Sequence, residues 1–214
     1  MRVQDEIIVL HHTLYGEKSV ILHCLSKEWG RRSFIVKNAS KLMGYFQPLS
    51  ILECEISENP KSSLYSATAF CAISPLGGIR SSHGKTSISM FVSEVLFRAL
   101  REGTVEESLF DWCKREIMLL NDLEQGYANF HLRFLLDFGA ALGFSPGKED
   151  LLPFLENLTA RTLPLMDRNC AVALSAPLDG NSRREICARL LKYLEFHLES
   201  PLNIRSLAIL ADIS

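Results

Sequence analysis

The chain has 214 residues, 47% of them apolar, and a formal net charge of −2. This composition excludes a disordered or fibrous protein and suffices for one large or two small folded domains. No apolar run is long enough to span a membrane, and the four apolar residues after Asp5 and Glu6 are too few for a signal peptide. We therefore expect a cytoplasmic protein that does not enter the membrane.

The spacing of apolar residues changes near residue 85. Before that point they alternate or form short runs between turn residues, and after it they recur at steps of three and four. The pattern predicts an α+β protein, with a β domain over residues 1–82 and an all-α domain over residues 83–214. Residues 1–85 carry ten Lys and Arg against seven Asp and Glu, whereas the remainder carries 13 against 18. The β domain, with a balance of +3, is therefore the candidate surface for a polyanion.

Five short strands are predicted in the N-terminal domain. They cover Glu6–Thr13, Ser19–Leu25, Arg32–Lys37, Gln47–Ile56 and Ser63–Ser74. In the fourth, Leu52, Cys54 and Ile56 should share the buried face. Five strands in about eighty residues are typical of a closed OB-type barrel.

The C-terminal domain is predicted to consist of helices. They are expected over Lys85–Arg101, from a capping box of Thr104 and Glu107, over about 127–142, from about Asp150, and from a second capping box of Ser182 and Glu185 to about Leu198. In the first, an apolar stripe is expected on one face, formed by Ile88, Phe91, Val92, Val95, Leu96 and Ala99. Residues 162–179 are predicted to form short helix or strand.

The sequence carries no recognisable catalytic or cofactor motif. It lacks the nucleophile elbow, the phosphate-binding loop and the dinucleotide-binding glycine pattern. His11 and His12 are adjacent, so on a regular strand they point to opposite faces and cannot share one metal ion. The six cysteines include no C-x-x-C pair. We expect no enzyme, no catalytic residues, no metal and no cofactor.

A basic set lies around the second and third predicted strands, with aromatic residues among its members. It consists of Lys18, Lys27, Arg31, Arg32, Lys37 and Lys41, with Trp29, Tyr45 and Phe46 between them. Barrels that bind single-stranded nucleic acid pair a cationic track for phosphates with aromatic faces for bases. The alternative is that these are ordinary surface cations on a small domain whose aromatic residues fill the barrel.

Ten short segments, in order along nearly the whole chain, resemble the DNA repair and recombination protein RecO family. They are Ile8–Leu10, Tyr15–Glu17, Leu25–Arg31, Val36–Lys37, Phe46–Leu49, Leu109–Phe110, Arg133–Leu135, Leu142–Phe144, Leu190–Tyr193 and Arg205–Leu207. Two departures are present. Many members carry four zinc-binding cysteines after the segment that ends here at Phe144, and this chain has none before Cys170. The basic stretch after the third strand is also thinned, at Asn38 and Ser40. The resemblance thus implies a short, zinc-free form.

The resemblance implies a non-enzymatic recombination mediator. Such proteins bind single- and double-stranded DNA, contact the acidic C-terminal tail of the single-stranded-DNA-binding protein, join RecR, help RecA to load, and anneal strands. Under this interpretation DNA is bound by Arg31, Arg32, Lys37 and Lys41, with Lys27, Lys18 and Trp29 at the margin. The alternative is a protein-interaction adaptor whose OB-like barrel does not bind nucleic acid.

The resemblance also implies a site for the acidic tail in the helical domain. Arg133, with Lys114 or Arg115 from the preceding helix, would receive the tail carboxylates, and apolar neighbours such as Phe134 would hold its terminal aromatic residue. The alternative is that Arg133 is a surface arginine whose stem covers the edge of the core.

Overall fold

A computed structural model describes residues 2–58, 64–103, 105, 107–144 and 147–212. Contacts divide the chain into two compact units. The barrel unit consists of Met1–Gly77 and Ser93–Met118, and the helical unit of Gly78–Val92 and Leu119–Ser214. The division between domains after residue 82 remains a prediction.

Five strands form a closed barrel in the barrel unit. They are β1 (Arg2–Tyr15), β2 (Ser19–Ser26), β3 (Gly30–Val36), β4 (Ile51–Ser57) and β5 (Tyr65–Ala72). The strand order around the barrel is β1-β2-β3-β5-β4, with β3 and β5 parallel and every other pair antiparallel. The predicted fold class, a five-stranded OB-type barrel followed by helices, is confirmed.

The barrel is filled by residues that alternate along the strands. Its buried core is formed by Ile7, Val9, Val20, Leu22, Cys24, Phe34, Val36, Ala39, Phe46, Leu52, Cys54, Ile56 and Ala67. The predicted inward face of β4 is therefore confirmed, with Leu52, Cys54 and Ile56 each 1% exposed. Because side chains alternate between faces, the alternation in β4 predicts which of its residues enter the core, whereas Ala39 and Phe46 enter it from the connection between β3 and β4.

The fourth strand begins later than predicted. Residues 47–50 form a turn in which the Ser50 N–H donates to the Gln47 carbonyl at 3.0 Å, and Leu49 has a φ of 62°. The turn still pairs with β1, since the Val9 N–H donates to the Ser50 carbonyl at 2.9 Å. Apolar residues in this turn are buried like strand residues, which is why alternation placed the start of the strand at Gln47.

Eight α-helices lie in the described part of the chain. They are α1 (Gly77–Arg80), α2 (His83–Ala99), α3 (Glu107–Asp122), α4 (Phe130–Ala141), α5 (Lys148–Leu155), α6 (Thr159–Thr162), α7 (Cys170–Leu174) and α8 (Gly180–Leu198). Helices α2 and α3 contribute residues to both units. The predicted apolar stripe of α2 is confirmed, because all six of its residues are buried.

The predicted N-cap of the last long helix is wrong. Helix α8 begins at Gly180, and Asp179 caps it by accepting the Ser182 N–H at 2.7 Å. Ser182 is instead a buried helical residue whose hydroxyl accepts from Arg161 Nη1 at 2.8 Å. Residues 162–179 were predicted to form short helix or strand, and they form short helical pieces. Thr104 of the other predicted capping box lies outside the described residues, and α3 begins at Glu107.

The helical unit is built around α4 and α8. Apolar residues from both helices are buried, among them Phe134, Phe138 and Leu190. Buried Asn129, just before α4, donates from Nδ2 to the carbonyls of Leu174 at 3.0 Å and Ala176 at 2.8 Å. These bonds tie α4 to the end of α7 and to the turn that follows it, and the Ala176 carbonyl also accepts the Leu178 N–H at 2.9 Å.

Candidate nucleic-acid interface

A buried carboxylate holds the hairpin between β2 and β3, which carries four of the predicted DNA-binding residues. Asp5 is 4% exposed and accepts from the Ser26 hydroxyl and from the Glu28 N–H. The Trp29 N–H in turn donates to Ser26 Oγ at 2.9 Å. Burial raises the pKa of Asp5, partly offset by the Ser26 hydrogen bond. The hairpin is therefore a fixed element rather than a free loop.

At this β2–β3 end of the barrel, two predicted DNA-binding residues are engaged by acidic partners. Arg31 Nη1 lies 3.4 Å from Glu102 Oε2, and its guanidinium lies 4.7 Å from the centre of the Phe97 ring. The Arg31 side chain is only 15% exposed. Lys27 Nζ lies 3.6 Å from Glu107 Oε1. Both cations are thus partly neutralised within the barrel unit.

Arg32 and Trp29 form a stacked group with Tyr65 of β5. The Trp29 and Tyr65 ring centres are 4.7 Å apart, and the Arg32 guanidinium lies 5.5 Å from Trp29 and 5.0 Å from Tyr65. The three side chains are half-buried, and Trp29 packs against the barrel core. Cation–π contact orders this group, and a base could stack on it only at its outer edge.

The remaining three lysines meet at the opposite end of β2. Val20 pairs with Val36, so Lys18 before β2 and Lys37 after β3 lie at the same end. The Ala39 N–H donates to the Lys18 carbonyl at 2.9 Å, which brings the turn that holds Lys41 there too. All three lysines are exposed, and none makes an ion pair with a residue that the structure describes. We call this region the β1–β2 end.

Exposed aromatic and apolar side chains accompany the lysines at the β1–β2 end. Leu14 is 74% exposed and Tyr15 is 56% exposed at the tip of the β1–β2 hairpin. Tyr45 is 40% exposed farther along the connection from β3 to β4, which meets β1 at Val9 rather than at the β1–β2 hairpin. Phe46, by contrast, is 1% exposed and packs edge-on against Phe70 inside the barrel, so it is a core residue. Exposed cations beside exposed rings are the combination that single-strand binding requires.

A histidine cluster on the outside of the barrel was not anticipated. A bulge between Val9 and His11 interrupts the alternation of β1, and the His11 ring stacks 5.8 Å from His23. Both rings contact Phe97, and His23 Nδ1 lies 2.9 Å from Ser33 Oγ. Burial, together with the neighbouring His11 and Arg31 charges, lowers the pKa of His23 to about 4. The bulge has no clear signal in the sequence, because no glycine marks it.

The structure gives Arg133, the predicted tail-binding residue, three partners inside the helical unit. Its Nε donates to Asp137 Oδ2 at 2.6 Å, and its Nη1 donates to the carbonyls of Leu165 (3.0 Å) and Asp167. Its side chain is 17% exposed. Arg133 therefore ties α4 to the segment after α6, and binding of a partner there remains a prediction.

The other three predicted tail-binding residues have different surroundings. Phe134 is 1% exposed and stacks between Phe130 and Phe138 in the helical unit. In the barrel unit, Lys114 Nζ lies 2.7 Å from Glu6 Oε2, and Arg115 is exposed. Of this set, Arg115 is the side chain most accessible to a partner.

The part of the chain that the structure describes contains neither a metal-binding cluster nor a membrane-spanning helix. Among its residues, no group of three or more His, Cys, Asp or Glu is close enough to hold a metal ion. No helix within this part is both long and apolar enough to cross a membrane. Cys24, Cys54, Cys113 and Cys187 are buried as thiols, and burial raises the pKa of each.

Residues 1–75, which contain the whole barrel, match the family description "Recombination protein O N terminal". Three DNA repair proteins RecO illustrate the relationship. The Phocaeicola vulgatus protein is 38% identical over 149 residues, covering 67% of this chain and 61% of that protein. The Flavobacterium johnsoniae protein is 32% identical over 163 residues, covering 73% of this chain and 68% of that protein. The Azobacteroides pseudotrichonymphae protein is 27% identical over 100% of this chain and 99% of its own length.

The alignment with the Phocaeicola vulgatus relative spans about three fifths of that protein's length. The alignment with the Flavobacterium johnsoniae relative covers more than two thirds of that protein at 32% identity. The match to the N-terminal description coincides with the closed five-stranded barrel. This chain belongs to the RecO family of DNA repair proteins.

Proposed function

We propose that this protein is a non-enzymatic DNA repair and recombination mediator of the cytoplasm and nucleoid, which binds single- and double-stranded DNA through its barrel. The observation that carries the proposal is the β1–β2 end. Lys18, Lys37 and Lys41 lie there together without acidic partners among the described residues, beside exposed Tyr15. In OB barrels the loop between the first two strands is a common oligonucleotide contact.

Within this proposal the predicted DNA-binding residues have unequal roles. Lys18, Lys37 and Lys41 contact phosphates, and Tyr15 stacks on a base. Arg32 and Trp29 contribute at the edge of their stacked group with Tyr65. Lys27 and Arg31 contribute least, because each is partly neutralised by a glutamate.

A second function, the adaptor whose barrel does not bind nucleic acid, is favoured by one specific observation. The ion pairs of Lys27 and Arg31 remove two of the six basic residues from the cationic set. An adaptor would leave the remaining three lysines at the β1–β2 end solvated and without a ligand.

Binding of the intact protein to a fluorescent thirty-nucleotide single strand at low salt separates the two functions. The mediator should bind, and the Lys18→Ala/Lys37→Ala/Lys41→Ala variant should bind at least about tenfold more weakly, since each charge-assisted phosphate contact is worth about 1.5 kcal/mol or more. The mediator should also speed the annealing of complementary strands. Absence of binding by the unsubstituted protein would establish the adaptor instead.

The proposal includes the protein partners that the family resemblance implies. The protein would bind the acidic C-terminal tail of the single-stranded-DNA-binding protein, join RecR, and act indirectly on RecA. Arg133 of the helical unit is the proposed receiver of the tail carboxylates, with Phe134 supporting it from the core. Lys114 and Arg115 of the barrel unit are proposed as further contacts for the tail. Arg133 would have to exchange its Asp137 contact for the tail.

A matched pair of variants tests the role of Arg133. Arg133→Ala should weaken binding of a synthetic tail peptide by roughly tenfold. Asp137→Ala leaves the guanidinium in place but removes its competing carboxylate, so it should preserve or strengthen binding. Equal peptide affinity in all three proteins would exclude Arg133 from the tail site while leaving DNA binding unaffected.

A further inference from the structure

An exposed aromatic side chain lies on one face of α8 in the helical unit. Phe196 is 68% exposed, more than any other Phe, Tyr or Trp in the described part of the chain. Its ring centre lies 5.6 Å from that of Phe154 on α5 and 5.3 Å from that of His197, and both neighbours are half-buried. The His197 ring in turn stacks 5.0 Å from half-buried Phe144. Phe196 is therefore the outermost ring of a cluster that supports it at the surface.

Two charged residues share this face of α8 with Phe196. Lys192 lies four residues before it and Glu199 three residues after it, and residues at these spacings lie on one side of a helix. Both are exposed, and neither makes an ion pair with a residue that the structure describes. We call the surface formed by Lys192, Phe196 and Glu199 the Phe196 face. It presents a cation, a ring and an anion in line over about 10 Å of the helix.

Glu199 occupies its position at a cost to the free energy of folding. It is the C-cap of α8 and has a φ of 51°, a left-handed conformation that glycine adopts more readily. Its negative charge also lies at the helix C-terminus, which itself carries partial negative charge. A cation brought to Glu199 from outside would remove this second cost. This end of α8 therefore favours an external cation.

The order of the three groups makes the Phe196 face complementary to itself. When a second α8 lies antiparallel to the first across a two-fold axis near Phe196, Lys192 of each copy lies opposite Glu199 of the other. This follows because the two charged residues are almost equally distant from Phe196. Each lysine also comes within reach of the Phe196 ring of the other copy, where a cation–π contact can form.

Other occupants satisfy only part of the Phe196 face. An acidic peptide would pair with Lys192 but would be repelled by Glu199, and a basic peptide would have the opposite fault. A second copy supplies both charges at the required spacing and covers the exposed ring with another helix. The arrangement of charges therefore favours self-association.

We propose that the Phe196 face is a self-association surface, on which two copies of this chain pair through antiparallel α8 helices. The contact is isologous, so each interaction occurs twice. Because the face is short, the interface belongs to the weak, reversible class that buries less than about 1,200 Å². The proposal goes beyond the DNA and tail contacts proposed above, none of whose residues belongs to this face.

Sedimentation equilibrium of the intact protein, from about 1 μM to about 1 mM, tests the proposal. We expect a reversible equilibrium between monomer and dimer that weakens as salt is added. Phe196→Ala should weaken dimerisation at least about tenfold, because it removes the central ring from both copies. The control variant Val172→Ala shortens another exposed apolar residue of the helical unit, and it should leave dimerisation unchanged.

Exchange of the two charges tests the antiparallel register. Lys192→Glu and Glu199→Lys should each weaken dimerisation at least about fivefold, because like charges then face each other twice. The double variant Lys192→Glu/Glu199→Lys should dimerise within about twofold of the parent, because opposite charges meet again. All the substituted side chains are exposed, so each variant should keep the melting temperature of the parent.

Three results would overturn the proposal: a monomer at every concentration, a dimer that Phe196→Ala leaves intact, or a double variant no stronger than the single ones. A synthetic acidic tail peptide that binds the monomer, and whose binding Phe196→Ala abolishes, would instead assign the face to a partner protein. Single-strand affinity of Phe196→Ala, measured where the parent is monomeric, should equal that of the parent. Failure of the dimer would therefore leave the proposed DNA contacts of the barrel standing.

Discussion

The two ends of the barrel carry similar basic residues in different electrostatic settings. At the β2–β3 end, Arg31 and Lys27 lie 3.4 Å and 3.6 Å from the carboxylates of Glu102 and Glu107. At the β1–β2 end, Lys18, Lys37 and Lys41 are exposed without acidic partners among the described residues. The ends are separated by the eight residues of β2, a length of about 25 Å. A cation that folding has already paired contributes to stability, and one left in water is available to a polyanion.

The same distinction extends to the helical unit, where Arg133 is the most fully engaged cation discussed above. Its three internal hydrogen bonds resemble the setting of Arg31 rather than that of the lysines. Substitution of paired cations should therefore change the free energy of unfolding, and substitution of the exposed lysines should change DNA binding. The variants below test this distinction, in order of decreasing expected effect.

The largest effect on stability is expected for Arg133→Ala. The variant removes a 2.6 Å ion pair and two hydrogen bonds to carbonyls, and leaves Asp137 without its partner. The pair is only partly exposed, so we expect the free energy of unfolding to fall by about 2 kcal/mol. Chemical denaturation measures this free energy. In the control variant Arg168→Ala, which replaces an exposed arginine, it should stay within about 0.5 kcal/mol of the parent. A change below that level would place Arg133 among the cations available to partners.

Arg31→Ala should have a smaller effect on stability and almost none on DNA binding. It removes one ion pair and one cation–π contact, together worth about 1.5 kcal/mol. Because Glu102 already partly neutralises the guanidinium, single-strand affinity should stay within about twofold of the parent. Chemical denaturation measures the change in stability, and titration with a single strand measures the affinity. If Arg31→Ala kept its stability but lost much of its strand affinity, the β2–β3 end would be a DNA-binding surface rather than a structural one.

His23 provides a pH-dependent test of the same region. Its lowered pKa means that the unfolded chain takes up a proton near pH 6.5, whereas the folded protein does so only near pH 4. The free energy of unfolding should therefore fall as the pH is lowered from 6.5 to 4. His23→Gln should reduce that fall. Because the Arg31 charge helps to lower the pKa of His23, Arg31→Ala should raise it; an unchanged NMR titration would contradict the contact.

The smallest effect is expected for Glu107→Gln. The Lys27–Glu107 pair is exposed at 33% and 70%, so its loss should change the free energy of unfolding by less than about 0.5 kcal/mol. Release of Lys27 should raise strand affinity slightly, by no more than about twofold. A strong gain in affinity would mean that the β2–β3 end binds DNA once its acidic partner is neutralised.

The barrel could be predicted from the sequence because alternation and turn residues are local signals. Leu52, Cys54 and Ile56 enter the core as expected, and the α2 stripe is buried as its spacing required. Local signals failed where two residues compete for one role. Asp179 and Ser182 both suit an N-cap, and only the helix start decides between them. The bulge after Val9 likewise depends on how β1 meets β2.

The sequence could predict which residues belong to the candidate site, but not which of them form ion pairs. The sequence identifies six basic residues and their aromatic neighbours, yet Glu102 lies 71 positions after Arg31 and Glu107 lies 80 after Lys27. Ion pairs at such separations follow from tertiary structure alone, so charge counts could not separate engaged cations from exposed ones. The same reason explains why Arg133 looked available in the sequence, since its carbonyl partners lie more than thirty residues away.

The most direct test of the contrast between the two ends is the salt dependence of single-strand binding in two matched variants. Each phosphate contact that is lost should reduce the slope of log affinity against log salt by roughly 0.7. Lys18→Ala/Lys37→Ala/Lys41→Ala should therefore reduce it by about 2, while Lys27→Ala/Arg31→Ala should leave it unchanged within error. A slope that falls only in the second variant, or equally per residue in both, would contradict the account.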